Sequence, residues 1–159
     1  MRLLILRHAA ARPGSPDVAD EDRPLSSRGR KRFKKAAKGL AEIVGTPDLL
    51  LTSPLLRARQ TAKIAGKVWK LGLTEEPLLA GGSPEALVQA MTEHPKDSVV
   101  ALVGHEPDLS RLLAHVVGGA GERFPFKKGG AALVELDGTD GAGRLIWFMP
   151  PRCLRAFRA

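Results

Sequence analysis

Ser98-Val99-Val100-Ala101-Leu102-Val103-Gly104-His105-Glu106-Pro107 reads as a strand buried on both faces that delivers a histidine at its carboxyl end. Five consecutive apolar residues without alternation are the pattern of a parallel strand covered by helices on either side. Glu106-Pro107 opens a helix expected to reach Val117, where Gly118-Gly119 closes it. Two more apolar runs share this design. Leu3–Leu6 is followed by Arg7-His8, and Asp48–Thr52 by Ser53-Pro54. Between them lies a loop over residues 9–25 with Pro13, Gly14, Pro16 and Pro24, then a helix from Ser26 or Ser27. Its stripe of Phe33, Ala36, Ala37, Leu40, Ile43 and Val44 ends at Gly45 and Pro47. Pro54 opens a second helix running to about Lys70. Leu73–Leu79 reads as a short strand leading to the Gly81-Gly82 loop, and Ser83-Pro84-Glu85 starts a helix through Glu93 that Pro95 stops. Ala131–Leu136 and Leu145–Met149 flank Asp137-Gly138-Thr139-Asp140-Gly141 and predict an antiparallel hairpin. The order predicts an α/β fold, a three-layer α/β/α sandwich with a mostly parallel sheet and an antiparallel C-terminal edge, forming one domain over residues 1–159.

Composition narrows the classes. A chain of 159 residues with 25 Lys+Arg against 17 Asp+Glu carries a formal charge of +8 and is long enough to bury a core without staples. Its lone Cys153 excludes a disulfide framework and a cysteine zinc cluster, and points to a reducing, cytoplasmic setting. The apolar run at the N-terminus is too short for a signal peptide and no segment approaches a membrane span, so no membrane partner is expected. His105-Glu106 with Asp108 is the one candidate metal cluster, and adjacent residues at a helix start diverge, so neither metal nor cofactor is expected. Between Arg28 and Lys38 stand seven basic residues and no acid. Such a run reads either as a solvated helix face or as a patch for an anionic partner. Aromatic residues make up 4% of the chain and there is no tyrosine, which leaves little for stacking bases, so nucleic acid is not expected as the primary partner.

In open α/β sheets ligands bind beyond the carboxyl ends of the strands. If the three apolar strands lie together in parallel, His8, Arg7, Arg57 and His105 converge there, two imidazoles and two guanidiniums with no obligatory carboxylate between them. Such a set suits a dense anion, because guanidinium forks match phosphate oxygens and the helix starts after Ser53 and Gly104 add donors. An imidazole beside a held phosphate suggests phosphoryl transfer through a histidine nucleophile. That chemistry requires His8 and His105 within about 8 Å of each other, so that both reach one phosphate.

Arg7-His8-Ala9, the stretch Ser53-Pro54-Leu55-Leu56-Arg57-Ala58-Arg59-Gln60-Thr61-Ala62, and Gly104-His105-Glu106-Pro107 resemble the histidine phosphatase (phosphoglycerate mutase-like) superfamily. Arg23-Pro24-Leu25-Ser26 before Gly29, the hairpin ending Trp147–Pro151, and the small size resemble its short phosphohistidine phosphatases of the SixA type, over essentially the whole chain. The resemblance implies that His8 is the phosphorylated nucleophile, that Arg7 and Arg57 clamp the phosphate, and that His105 bonds a phosphate oxygen. It further implies a metal-independent, monomeric enzyme acting on protein phosphohistidine, without a cap insertion. Alternatives are hydrolysis of small-molecule or Ser/Thr phosphate monoesters, and a non-catalytic phosphate-recognition or basic-patch interaction module. Two departures stand out. Alanine occupies position 9 where the family has glycine, which is harmless only where the backbone is ordinary. No acid matches the family's proton donor clearly; Glu106 is the candidate, with Glu76, Glu85 and Asp22 near in sequence.

Overall fold

A computed structural model describes residues 1–138 and 140–157. Among them six strands form one sheet, β1 (Arg2–Arg7), β2 (Leu49–Thr52), β3 (Thr74–Glu75), β4 (Val99–Gly104), β5 (Ala131–Leu136) and β6 (Gly143–Met149). The spatial order is β3-β2-β4-β1-β5-β6. β3, β2, β4 and β1 run parallel, while β5 and β6 are antiparallel additions at one edge. The expected three-layer α/β architecture is therefore the one observed, with β4 and β1 at its centre.

Alternation along buried strands divides the core. Leu4 and Leu6 of β1 face one side with Ala101 and Val103 of β4. There they meet helices α1 (Ser27–Val44) and α2 (Leu56–Trp69) through Phe33, Ala36, Leu40, Ala58, Ala62 and Trp69. Leu3 and Ile5, with Val100 and Leu102, face the opposite side and meet α3 (Pro84–Thr92) and α4 (Asp108–Val117). Every residue of β4 is buried, as its unbroken apolar run demands. A last short helix, α5 (Pro151–Leu154), closes against α1. A Cβ at Gly39 would overlap the carbonyl oxygen of Leu154, so only glycine permits that approach. No helix among the described residues is long and apolar enough to cross a membrane.

Boundaries shift where side chains compete for the chain ends. The helix expected from Pro54 starts at Leu56, because the Ser53 hydroxyl accepts the Leu55 N–H at 3.3 Å and bends the chain first. The helix expected from Glu106-Pro107 starts at Asp108. The run Leu73–Leu79 gives only the two-residue β3 and a 3-10 turn at Pro77–Leu79, since Pro77 supplies no N–H to a ladder. The hairpin's second strand is longer than expected, opening at Gly143. Thr139, within its turn, lies outside the described residues. The loop over 9–25 contains a 3-10 turn at Asp20–Asp22.

Candidate active site

Parallel pairing brings three strand ends to one point. Arg7 lies opposite Gly104, and Thr52 opposite Val103, so His8, His105 and Ser53 leave the sheet side by side. The His8 N–H donates to Gly104 O at 3.0 Å and the Ser53 N–H to Val103 O at 2.9 Å, which extends the ladder to these residues. The imidazole centroids of His8 and His105 stand 5.1 Å apart, inside the reach that one phosphate requires. Arg57, in the first turn of α2, and both histidines are buried, at 7%, 4% and 7% exposure for Arg57, His8 and His105.

Hydrogen bonds decide what each ring can do. His8 Nδ1 lies 2.7 Å from Ala9 O, and a carbonyl only accepts, so Nδ1 carries the proton and Nε2 keeps a lone pair in the neutral ring. Burial, with His105, Arg57 and Arg7 nearby, pushes the His8 pKa down to about 3, so the neutral form prevails at pH 7. Burial and the same two arginines push His105 down to about 4, against the attraction of Asp20. His105 Nε2 sits 2.7 Å from Ser53 Oγ, while its Nδ1 is buried without a partner.

The arginines are anchored by one edge each. Arg7 Nη1 donates to Phe126 O at 2.6 Å, and Phe126 is fixed by packing on Phe148. Burial lowers the Arg7 pKa, opposed by the charge of Glu106. Arg57 Nη1 donates to Asp20 O at 2.7 Å and Nη2 to Asp20 Oδ2 at 3.1 Å. Beside the four convergent side chains the Asp20–Asp22 turn folds back and lays one acid on a guanidinium, a partner for Arg57 that the sequence pattern did not indicate. Nε of Arg7, Nε of Arg57 and Nδ1 of His105 are buried and unpaired. Three of the four convergent side chains therefore carry a buried polar atom of the kind an oxyanion satisfies.

The residues around them account for the ten-residue stretch from Ser53 to Ala62. Gln60 Oε1 accepts the Leu25 N–H at 2.8 Å, pinning the loop to α2. Thr61 Oγ1 accepts the Ala9 N–H at 3.0 Å and donates to Arg57 O at 2.7 Å, tying the backbone beside His8 to the helix turn that bears Arg57. Ala58 and Ala62 are fully buried against α1. Ala9 is itself buried and outside the left-handed region, so alanine costs nothing there. One support that the sequence reading missed is Gly129-Gly130. Gly129 N–H donates to His8 O at 3.0 Å and Arg7 N–H to Gly130 O at 3.0 Å, with Gly129 at φ 77°, where a side chain would be strained.

Three of the four candidate proton donors are engaged by other groups. The Glu106 carboxylate accepts the Ser110 N–H at 3.0 Å and the Ser110 hydroxyl, in the first turn of α4. Glu76 accepts the Leu78 N–H at 3.0 Å, and Glu85 lies 3.5 Å from His115. Among the described residues no three His, Cys, Asp or Glu side chains are grouped to hold a metal ion.

A sequence model described as "Histidine phosphatase superfamily (branch 1)" matches residues 3–81. The phosphohistidine phosphatase SixA of Escherichia coli is 30% identical over 166 aligned positions, covering 100% of this chain and 99% of that one. The chain belongs to the histidine phosphatase superfamily. An uncharacterised protein of Picosynechococcus is 34% identical to this histidine phosphatase over 137 residues, 82% of each chain. The solved structure of the protein histidine phosphatase SixA complexed with tungstate superposes with a TM-score of 0.84 at 28% identity, covering 97% of this chain and 99% of that one. As a histidine phosphatase related to SixA along its whole described length, the protein is a phosphatase.

Proposed function

We propose that the enzyme hydrolyses phosphohistidine carried on another protein, through a covalent phosphoryl group on His8. The carrying observation is the fixed tautomer of His8, whose Nδ1–H is held by Ala9 O while burial keeps the ring neutral. Nε2 attacks phosphorus and the bond from phosphorus to the substrate's imidazole nitrogen breaks, that nitrogen taking the bonding pair while the ring's other nitrogen carries the proton, so a neutral imidazole leaves. Water then attacks phospho-His8, the Nε2–P bond breaks, and inorganic phosphate departs. Arg7, Arg57 and His105 hold the non-bridging oxygens through the transfer, which spreads the charge over fixed donors. A substrate imidazole already protonated at its other ring nitrogen leaves as a neutral ring and needs little acid assistance. That suits a site whose candidate donor, Glu106, is bound to Ser110. The name of the E. coli relative and the tetrahedral oxyanion in the SixA structure support this reading. It includes one domain over residues 1–159 with no cap inserted over the pocket, leaving room for a protein-borne residue.

Brief incubation with 32P-labelled phosphohistidine protein and acid-free denaturation tests the reading. Label is expected on the wild-type enzyme and absent from His8→Ala, with turnover lowered by at least about 10³-fold. Label on His8→Ala overturns the nucleophile assignment. Faster hydrolysis of phosphoserine peptides than of phosphohistidine peptides overturns the substrate class and favours phosphate monoesters.

A further inference from the structure

The catalytic site uses two of the 25 basic residues, Arg7 and Arg57, and leaves the cluster on α1 without a role. That cluster borders a groove of about 720 Å³ between α1 and α2. Its floor is apolar, formed by Ile64 and Val68, half-buried and one turn apart on α2. Arg30, Lys34 and Lys38 form one rim at i, i+4 and i+8 along α1, and Lys67 stands on the other. At 1.5 Å per residue the row on α1 is about 12 Å long. These four cations are exposed, and none forms an ion pair among the described residues.

The geometry points to a docking site for an acidic amphipathic helix of a partner protein. An apolar pair at i, i+4 between cationic rims is complementary to a helix with an apolar pair at the same spacing and carboxylates beside it. The lining contains no aromatic side chain, so a nucleic acid would gain phosphate contacts but no stacking. A bilayer needs apolar anchors that project, whereas Ile64 and Val68 are half-buried and the residues exposed around them are cations.

The groove's position identifies its use. α1 and α2 each follow a parallel strand and run back across the sheet, so both begin at the edge where β1, β2 and β4 end. Ser27 lines the groove at that edge. The adjoining Ser26 N–H donates to Ala10 O at 3.0 Å, and Leu25 is bonded to Gln60. A helix seated in the groove therefore has one end beside the phosphate site. Its bearer is the phosphorylated protein, a step that rests on the substrate reading above.

Binding of a fluorescent 15-residue helical peptide to the full chain at 0.15 M ionic strength tests the groove. The peptide carries Glu at i, i+4 and i+8 beside a Leu pair at i, i+4. Its scrambled isomer, a 15-nucleotide single-stranded DNA and phosphatidylserine vesicles are measured in parallel. The helical peptide is expected to bind at least about tenfold tighter than the scramble. Lys34→Glu/Lys38→Glu/Lys67→Glu is expected to weaken it by a similar factor, and the milder Lys34→Gln/Lys38→Gln by less. Joining the peptide to a phosphohistidine through a flexible Gly/Ser linker is expected to lower KM on the wild type but not on the triple variant. Equal binding of the scramble, tighter binding of the DNA or vesicles, or indifference to the triple substitution overturns the proposal. Hydrolysis of free phosphohistidine by the same samples reports on the catalytic reading. Its absence in the wild type sinks that reading and leaves the binding comparison intact.

Discussion

His8 and His105 tie the candidate site to acid stability, because both rings are kept neutral by burial against two guanidiniums. The sign follows from the direction of the shifts. Folding lowers their pKa values from 6.5 to about 3 and about 4, so between pH 6.5 and those values the unfolded chain binds more protons than the folded one. Stability is then fully present above pH 6.5 and is lost as pH falls, by up to about 1.4 kcal/mol per pH unit for each ring. The Tm of the wild type is expected to fall between pH 7 and pH 5, and that of His8→Asn/His105→Asn to fall less. Parallel slopes in calorimetry would show that neither ring is the source. Asp20 sets a second expectation at this scale. Its carboxylate occupies Arg57 Nη2, a donor that the proposed phosphate clamp would also use. Asp20→Asn keeps an acceptor for Nη2 but removes the negative charge, so inorganic phosphate is expected to inhibit at several-fold lower concentration. Phosphohistidine turnover should hold near the wild-type rate. A rise in the inhibition constant, or a collapse of turnover, would instead make the charge of Asp20 part of the working site.

Elements reach this arrangement through close packing that small residues allow, and α1 against α5 is the tightest case. Adding the single methyl of Gly39→Ala drives a Cβ onto Leu154 O, which is backbone and cannot rotate away. The helices must separate, and Leu154, fully buried in the core, must follow. A loss of about 1–3 kcal/mol is expected in urea unfolding. Phosphatase activity per folded molecule should be little changed, since Arg7, His8, Arg57 and His105 all lie outside α5. The strands behind this packing were legible in the sequence because burial on both faces leaves an unbroken apolar run, as in Leu3–Leu6 and Val99–Val103. Residues just beyond those runs were legible for the same reason, since parallel register fixes where His8 and His105 emerge. Contacts set by loop closure left no such pattern. The reach of Asp20 to Arg57 spans 37 positions. Gly129-Gly130 beneath Arg7-His8 depends on a turn whose glycines look like any loop glycines. The start of α2 was displaced by a serine hydroxyl, a competition that periodicity does not register.

At the scale of the whole molecule, the formal charge of +8 acts on encounter rather than on chemistry. Among the described residues Arg7 and Arg57 are the cations that act on the imidazoles, while the row on α1 lies along the outside of a helix whose first turn borders the site. At 0.15 M ionic strength the screening length is about 8 Å, so those outer charges hardly reach the pocket; at 0.01 M it is about 30 Å, and the molecule presents a single positive field. Substrates carrying a phosphate dianion are then drawn toward the sheet edge before contact. Hydrolysis of free phosphohistidine should accordingly show a kcat/KM that falls several-fold from 0.01 M to 0.3 M salt while kcat stays constant. Three Lys→Glu changes at positions 34, 38 and 67 lower the formal charge from +8 to +2, and this variant should lose most of the salt dependence yet match the wild type at high salt. Stopped-flow measurement across that range separates the field from the groove, because the small substrate has no helix to dock. A salt dependence that survives the charge reversal would place the steering in the arginines of the pocket alone.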